Sequence, residues 1–277
     1  MSLKQILVAT DLTERSEQAL ARTLQLKPEA LTVLHAVAPG LPNELGAEQQ
    51  RSAEAFLARH LPQHTYEGAS ASNYVIVTGS PFSTIISEAI SRAAELIVVG
   101  KRGTHPFSEL FTGSTAERVI RFSDRPVLMV KQAPSGPYRR VLVAFDGSEG
   151  AIRALQMGVT IAPDAEFRVV HAWWAPNVPL SDLEAARHAI DQENVRLKKL
   201  MIDAAQQAVT SSGKVANVVI DLVENNPYIV IANQYSWADL LVMGTHSKGR
   251  LATNISIGKL ARHLLIEASC DVLTSRP

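Results

Sequence analysis

Short apolar runs alternate along this chain with longer stretches in which apolar positions recur every three or four residues. In the first half the runs predict strands at 4–10, 31–37, 74–78, 95–99 and 126–131. The helix-period stretches predict helices at 14–26, 43–60, 82–93 and 114–122. Leu96-Ile97-Val98-Val99 is apolar on successive residues, so both faces of that strand are expected to be buried, as in a parallel sheet covered by helices on both sides. Alternation of strands and helices predicts an α/β fold, a doubly wound and mainly parallel open sheet.

The whole pattern then repeats. Ile6-Leu7-Val8-Ala9-Thr10-Asp11 returns as Val141-Leu142-Val143-Ala144-Phe145-Asp146, Val33-Leu34-His35 as Val169-Val170-His171, and Leu96-Ile97-Val98-Val99-Gly100 as Leu240-Leu241-Val242-Met243-Gly244. The order is kept and the spacing widens only before the third pair, which reads as duplication followed by a modest insertion. Half two is predicted to hold strands near 139–145, 166–173, 215–222, 239–243 and 271–275. Its second helix is longer, about 180–211, either a surface helix or a partner-binding one. Two tandem domains, each with a five-stranded sheet, are therefore expected at 1–133 and 138–277, with the linker in Gln132-Ala133-Pro134-Ser135-Gly136-Pro137.

Composition narrows the function classes. Lys+Arg and Asp+Glu both number 27, so no basic excess points to nucleic acid. No apolar stretch approaches the length of a spanning helix and no signal-like segment opens the chain, which predicts a soluble, cytoplasmic protein without membrane contact. The single cysteine, Cys270, is expected to be a small buried residue. No Cys/His spacing suggests a metal site.

Open parallel sheets bind ligands beyond the carboxyl ends of their strands. Asp11, Val37 and Gly100 occupy those ends. After Gly100 the chain reads Lys101-Arg102-Gly103, then continues to Gly113-Ser114-Thr115 at the start of a helix. Glycines allow backbone N–H groups close to an anion, a helix N-terminus attracts one, and Lys101 and Arg102 add cations. A phosphate cradle follows; a plain glycine-rich turn ending in an N-cap is the competing reading. Asp11 has its own competing role as the cap of the first helix, with Thr13 or Ser16 as rivals.

The pattern Gly, two residues, Gly, nine residues, Gly-Ser falls at Gly100, Gly103, Gly113 and Ser114. Together with the strand ending in Asp11, the Gly79-Ser80-Pro81 turn and Glu95-Leu96-Ile97-Val98-Val99-Gly100, it resembles the universal stress protein family, in its tandem form. The resemblance implies binding of ATP, or of ADP or AMP, with Mg²⁺ following the phosphates. It places Ala9, Asp11, Val37 and Val99 around the base, Gly100, Arg102 and Gly103 near ribose and phosphates, and Gly113, Ser114 and Thr115 at the phosphates. It also implies pairing of the fifth strands, here Val127-Leu128-Met129-Val130 and Val272-Leu273-Thr274 within one chain, and leaves room for a homodimer.

Half two departs from that pattern. Ser247 stands at the second glycine's place and Lys259 at the serine's, Gly244 to Gly258 is one residue longer, and Trp173 replaces Val37 where it is expected to fill the base pocket. A structural copy with weak or no nucleotide binding is expected, although Lys259 keeps an anion contact open. His35 and His171 repeat in the second strand and are read as packed, hydrogen-bonded imidazoles; His105 and His246 lie in loops within reach of a ligand. No Gly-x-x-x-x-Gly-Lys-Ser/Thr loop, no Gly-x-Gly-x-x-Gly and no dedicated base is present, with Glu109 the one loop carboxylate. A nucleotide-binding regulatory module is therefore favoured over a slow ATP-hydrolysing enzyme or a nucleotide-independent scaffold.

Overall fold

A computed structural model of the chain describes residues 3–40, 43–60, 71–101, 115–173, 183–212, 217–245 and 257–277. The chain divides into two compact units, Ser2–Pro137 and Tyr138–Pro277. The first contains β1 (Gln5–Thr10), α1 (Glu14–Gln25), β2 (Ala30–Val37), α2 (Asn43–His60), β3 (Ala71–Thr78), α3 (Pro81–Ser91), β4 (Leu96–Gly100), α4 (Thr115–Phe122) and β5 (Val127–Val130). Its strands lie in the order β3-β2-β1-β4-β5, and every neighbouring pair is parallel. Ile6, Leu7, Val8, Leu96, Ile97 and Val98 are fully shielded from solvent. Successive apolar residues can all be buried because helices cover both faces.

The second unit contains β6 (Arg140–Ala144), α5 (Glu149–Ile161), β7 (Glu166–Trp173), α6 (Leu183–Ser212), β8 (Asn217–Glu224), α7 (Pro227–Ala232), β9 (Leu240–Gly244), α8 (Lys259–Glu267) and β10 (Asp271–Ser275). Its order is β8-β7-β6-β9-β10, again parallel throughout. The registers coincide with those of the first unit: Val8 faces Val33 and Val98, and Val143 faces Val169 and Val242. The tandem α/β architecture expected from the repeat is thus present at the level of individual strand pairs. The β8 strand runs two residues later than the apolar pattern suggested, because Asn225 closes it by donating its N–H to the Trp173 carbonyl at 3.0 Å. Asn226 then caps α7, accepting from the Tyr228 N–H at 3.0 Å.

The long helix α6 buries Leu197, Met201, Ala204, Ala205 and Ala208, one face at helical spacing, and packs on α5 and β8. Val195 on another face is largely exposed. Cys270 is buried and not in a disulfide. Among the described residues no helix is long and apolar enough to cross a membrane, and no cluster of three His, Cys, Asp or Glu residues could hold a metal ion.

Candidate functional site

The order of the first sheet reverses at β1 and β4, since the chain moves outward through β2 on one side and returns to β4 on the other. Such a switch point opens a crevice where neighbouring connections diverge. A cleft of about 350 Å³ lies there. Ala9, Thr10 and Asp11 from the end of β1, Leu34, His35 and Ala36 from β2, and Val99 and Gly100 from β4 line it. Helix starts supply Thr13, Arg15 and Ser16, then Pro81 and Ile85, then Thr115 and Ala116, with Lys101 at the margin.

The turn from β1 into α1 is built by side chains. The Asp11 carboxylate Oδ1 accepts the Thr13 hydroxyl at 2.5 Å and the Thr13 N–H at 3.2 Å. The Thr13 N–H also reaches the Ser16 hydroxyl at 3.1 Å, within a capping box at the helix start. Leu12, between them, is forced to φ 63. Partial burial pushes the Asp11 carboxyl up. The hydroxyls of Thr13 and Ser16 and the Thr13 amide outweigh it and hold the group below the ordinary aspartate value. The cap of α1, left open by the sequence, is Thr13 and not Asp11; Asp11 supports it by accepting from Thr13 and at the same time lines the cleft.

His35 Nδ1 lies 2.9 Å from the Thr10 carbonyl. A carbonyl only accepts, so Nδ1 carries the proton and Nε2 is the remaining nitrogen. His171 repeats the bond to the Phe145 carbonyl at 2.7 Å. Both rings are packed and hydrogen-bonded as expected, and both also line a cavity.

Gly100 has a packing reason to be glycine. A Cβ there would come within 2.9 Å of the Arg15 carbonyl oxygen, so the end of β4 and the first turn of α1 touch backbone to backbone. The Lys101 N–H donates to the Val130 carbonyl at 2.8 Å and ties the end of β4 to β5.

Of the residues proposed from the sequence, Ala9, Asp11, Val99, Gly100 and Thr115 converge on the cleft. Val37 does not line it; Val37 is buried, its carbonyl accepts the Gly79 N–H at 2.9 Å, and Ala36 borders the cleft instead. Arg102, Gly103, Gly113 and Ser114 lie outside the described residues, as do Glu109, His105, His246 and Ser247. Sequence reasoning passed over Arg15, Ala36 and Ile85. Ile85 follows Pro81 by one turn of α3, a spacing visible in the sequence, whereas no such signal marks Arg15.

The second unit has the matching cavity, about 210 Å³, at the ends of β6, β7 and β9 and the start of α8. Asp146 again organises the turn, accepting the Ser148 N–H at 2.9 Å, and Ser148 caps α5 by accepting from Ala151. The expectation that Trp173 fills this cavity is corrected: Trp173 does not line it, because it lies at the end of β7, where its carbonyl engages Asn225. Buried Phe145, in the place of Thr10, borders the cavity instead.

The model of the universal stress protein family matches residues 2–131 and again 137–276. The chain belongs to that family. It is a tandem member, with one family unit in each half. A universal stress protein of Mycobacterium tuberculosis is 25% identical over 207 residues, covering 73% of this chain and 68% of the relative. A universal stress protein of Thermus aquaticus is 30% identical over 139 residues, covering 46% of this chain and 98% of the relative. Among solved structures, a universal stress protein of Archaeoglobus fulgidus superposes with a TM-score of 0.68 at 21% identity, covering 98% of both chains. That likeness is one of fold.

Proposed function

We propose that the first domain of this universal stress protein binds an adenine nucleotide, ATP foremost and ADP or AMP in its place, and acts as a nucleotide-dependent stress regulator in the cytoplasm. The observation that carries the reading is the cleft itself. At about 350 Å³ it falls in the size class of small-molecule sites, roughly 300–1,000 Å³. Its lining is mixed in character: Ala9, Leu34, Ala36, Ile85 and Val99 offer apolar surface for a base, and Arg15, Lys101 and Thr115 offer cations and a hydroxyl for phosphates. Asp11 offers Oδ2 to a ribose or adenine donor while Oδ1 holds the helix turn.

In this reading Gly100, Arg102 and Gly103 follow the ribose and phosphates, and Gly113, Ser114 and Thr115 present N–H and hydroxyl donors to the phosphates at the start of α4. Mg²⁺ accompanies the phosphates as part of the ligand. The second domain, with Lys259 for the serine and Leu260 for Thr115, takes nucleotide weakly or not at all. The fifth strands, β5 and β10, each lie at an edge of their own unit's sheet in sequence order, and edge strands of this apolar character call for a partner. We assign them to pairing between the two halves.

Denaturing the purified protein and identifying what it releases tests the assignment. An adenine nucleotide is expected from the wild type and none from Gly113→Val. Equal release from both would contradict the loop assignment. Phosphate release from added ATP at many turnovers per minute would identify an enzyme instead of a regulator.

A further inference from the structure

The second-domain cavity keeps the position of the first and exchanges its chemistry. Phe145 stands for Thr10, Gly150 for Arg15, Thr245 for Lys101 and Leu260 for Thr115. The exchange at Gly150 is enforced by packing, since a Cβ there would meet the Ser275 carbonyl oxygen at 2.9 Å. Thr245 is buried, with its hydroxyl directed to the Ser275 carbonyl at 3.4 Å. Among the described residues the lining carries one cation, Lys259, and one carboxylate, Asp146. The first cleft has Arg15 and Lys101 against Asp11. Among the described lining residues a polyphosphate meets fewer cations here than in the first cleft. A single negative charge is matched by Lys259.

We propose that this cavity binds a small monocarboxylate with an apolar aromatic or branched body. Ile231, Met243, Leu260 and Leu264 supply the wall for that body. The volume, about 210 Å³, sets the size: a cavity of ~150 Å³ accommodates a benzene ring, and the remainder takes a short acid arm. Lys259 is exposed and lines the cavity mouth, placed to pair with the carboxylate. His171 Nδ1 is committed to the Phe145 carbonyl, which leaves the other ring nitrogen, Nε2, for a hydroxyl on the ligand. The proposal is independent of nucleotide binding by the first domain.

The chain has five methionines, and Met243 lies in the cavity wall, so a methyl-labelled full-length protein reports the site directly once Met243→Leu has assigned the signal. Phenylacetate is the probe, with phenylacetamide, acetate and AMP as controls. The expected result is a saturable shift of the Met243 methyl with phenylacetate. Affinity should fall about tenfold or more for phenylacetamide and for the Lys259→Gln variant. Acetate and AMP should give no saturable shift over the same concentrations. Unchanged Tm in Lys259→Gln shows that the fold is intact, as its exposure predicts. No saturable shift with phenylacetate, equal affinity of acid and amide, undiminished binding in folded Lys259→Gln, or AMP occupying the site as tightly as phenylacetate would each overturn the proposal. Loss of nucleotide from the first domain, read by release on denaturation, would leave this result untouched.

Discussion

Leu12 is held at φ 63 between Asp11 and Thr13, and Gly147 at φ 73 holds the equivalent place in the second domain. Left-handed backbone costs a residue with a Cβ roughly 1–2 kcal/mol, and glycine almost nothing. Part of that relief is offset because glycine is freer in the unfolded chain. Leu12→Gly should therefore stabilise the first domain by up to about 1 kcal/mol, and Gly147→Leu should destabilise the second by about 1–2 kcal/mol. Denaturant midpoints check both; the opposite order would show that the Leu12 side chain contributes more than its backbone costs. Asp11 gives a pH test at the same turn. Its carboxyl is held below the ordinary value in the folded protein, so its contribution is full above the unfolded pKa, about 3.9. It is lost as pH falls through the lower folded-state value. The stability advantage of wild type over Asp11→Asn should be constant at neutral pH and should shrink on acidification below about pH 4. An advantage that grows on acidification would contradict the hydrogen-bond account. At this scale Asp11 is legible in the sequence because a polar residue at a strand's carboxyl end is conspicuous. Arg15 is not, because which face of a first helical turn overlooks the strand end is decided by tertiary packing.

Two glycines set how closely strand and helix meet. A Cβ on Gly100 would lie 2.9 Å from the Arg15 carbonyl oxygen, and one on Gly244 would lie 2.8 Å from the Ala151 amide nitrogen and 3.0 Å from the Ser148 hydroxyl. Both obstacles belong to the opening turn of a helix, α1 or α5, so the helix must retreat. Gly100→Ala and Gly244→Ala should each destabilise by about 1–3 kcal/mol, the usual cost of overpacking. Because α1 carries Thr13, Arg15 and Ser16 into the first cleft, Gly100→Ala should also weaken ATP binding, while Gly244→Ala should not. Calorimetric titration of the two variants separates these effects, and equal loss in both would mean that the cleft is not the nucleotide site. The elements themselves were legible: apolar runs and helix-period stretches mark every strand and the main helices. Edges shifted where a backbone bond to a distant strand closes an element, as the Asn225 N–H does on Trp173. The same kind of bond ties Val37 to Gly79 and brings Ala36 to the cleft in its place. No local pattern carries that information.

Duplication left the two units with the same strand order and the same register, yet with different cavities. The fold is insensitive to the exchanges because Thr10, Arg15, Lys101 and Thr115 lie at strand ends and helix starts, outside the fully buried apolar strands. A scaffold of this kind can keep its core while a site drifts. The repeat was legible from the sequence, and so was the loss of the glycine-serine pattern after β9. The substitute for Trp173 in the second cavity was not, since Phe145 acquires its place only through the pairing of β6 with β7. Under the proposed function the two halves divide the labour, nucleotide going to the first. Titration of nucleotide-free full-length protein with ATP in a calorimeter tests it most directly. One ATP per chain should bind, with binding abolished by Gly113→Val and retained in Gly258→Val. Two sites per chain, none, or a single site lost through Gly258→Val would contradict the account.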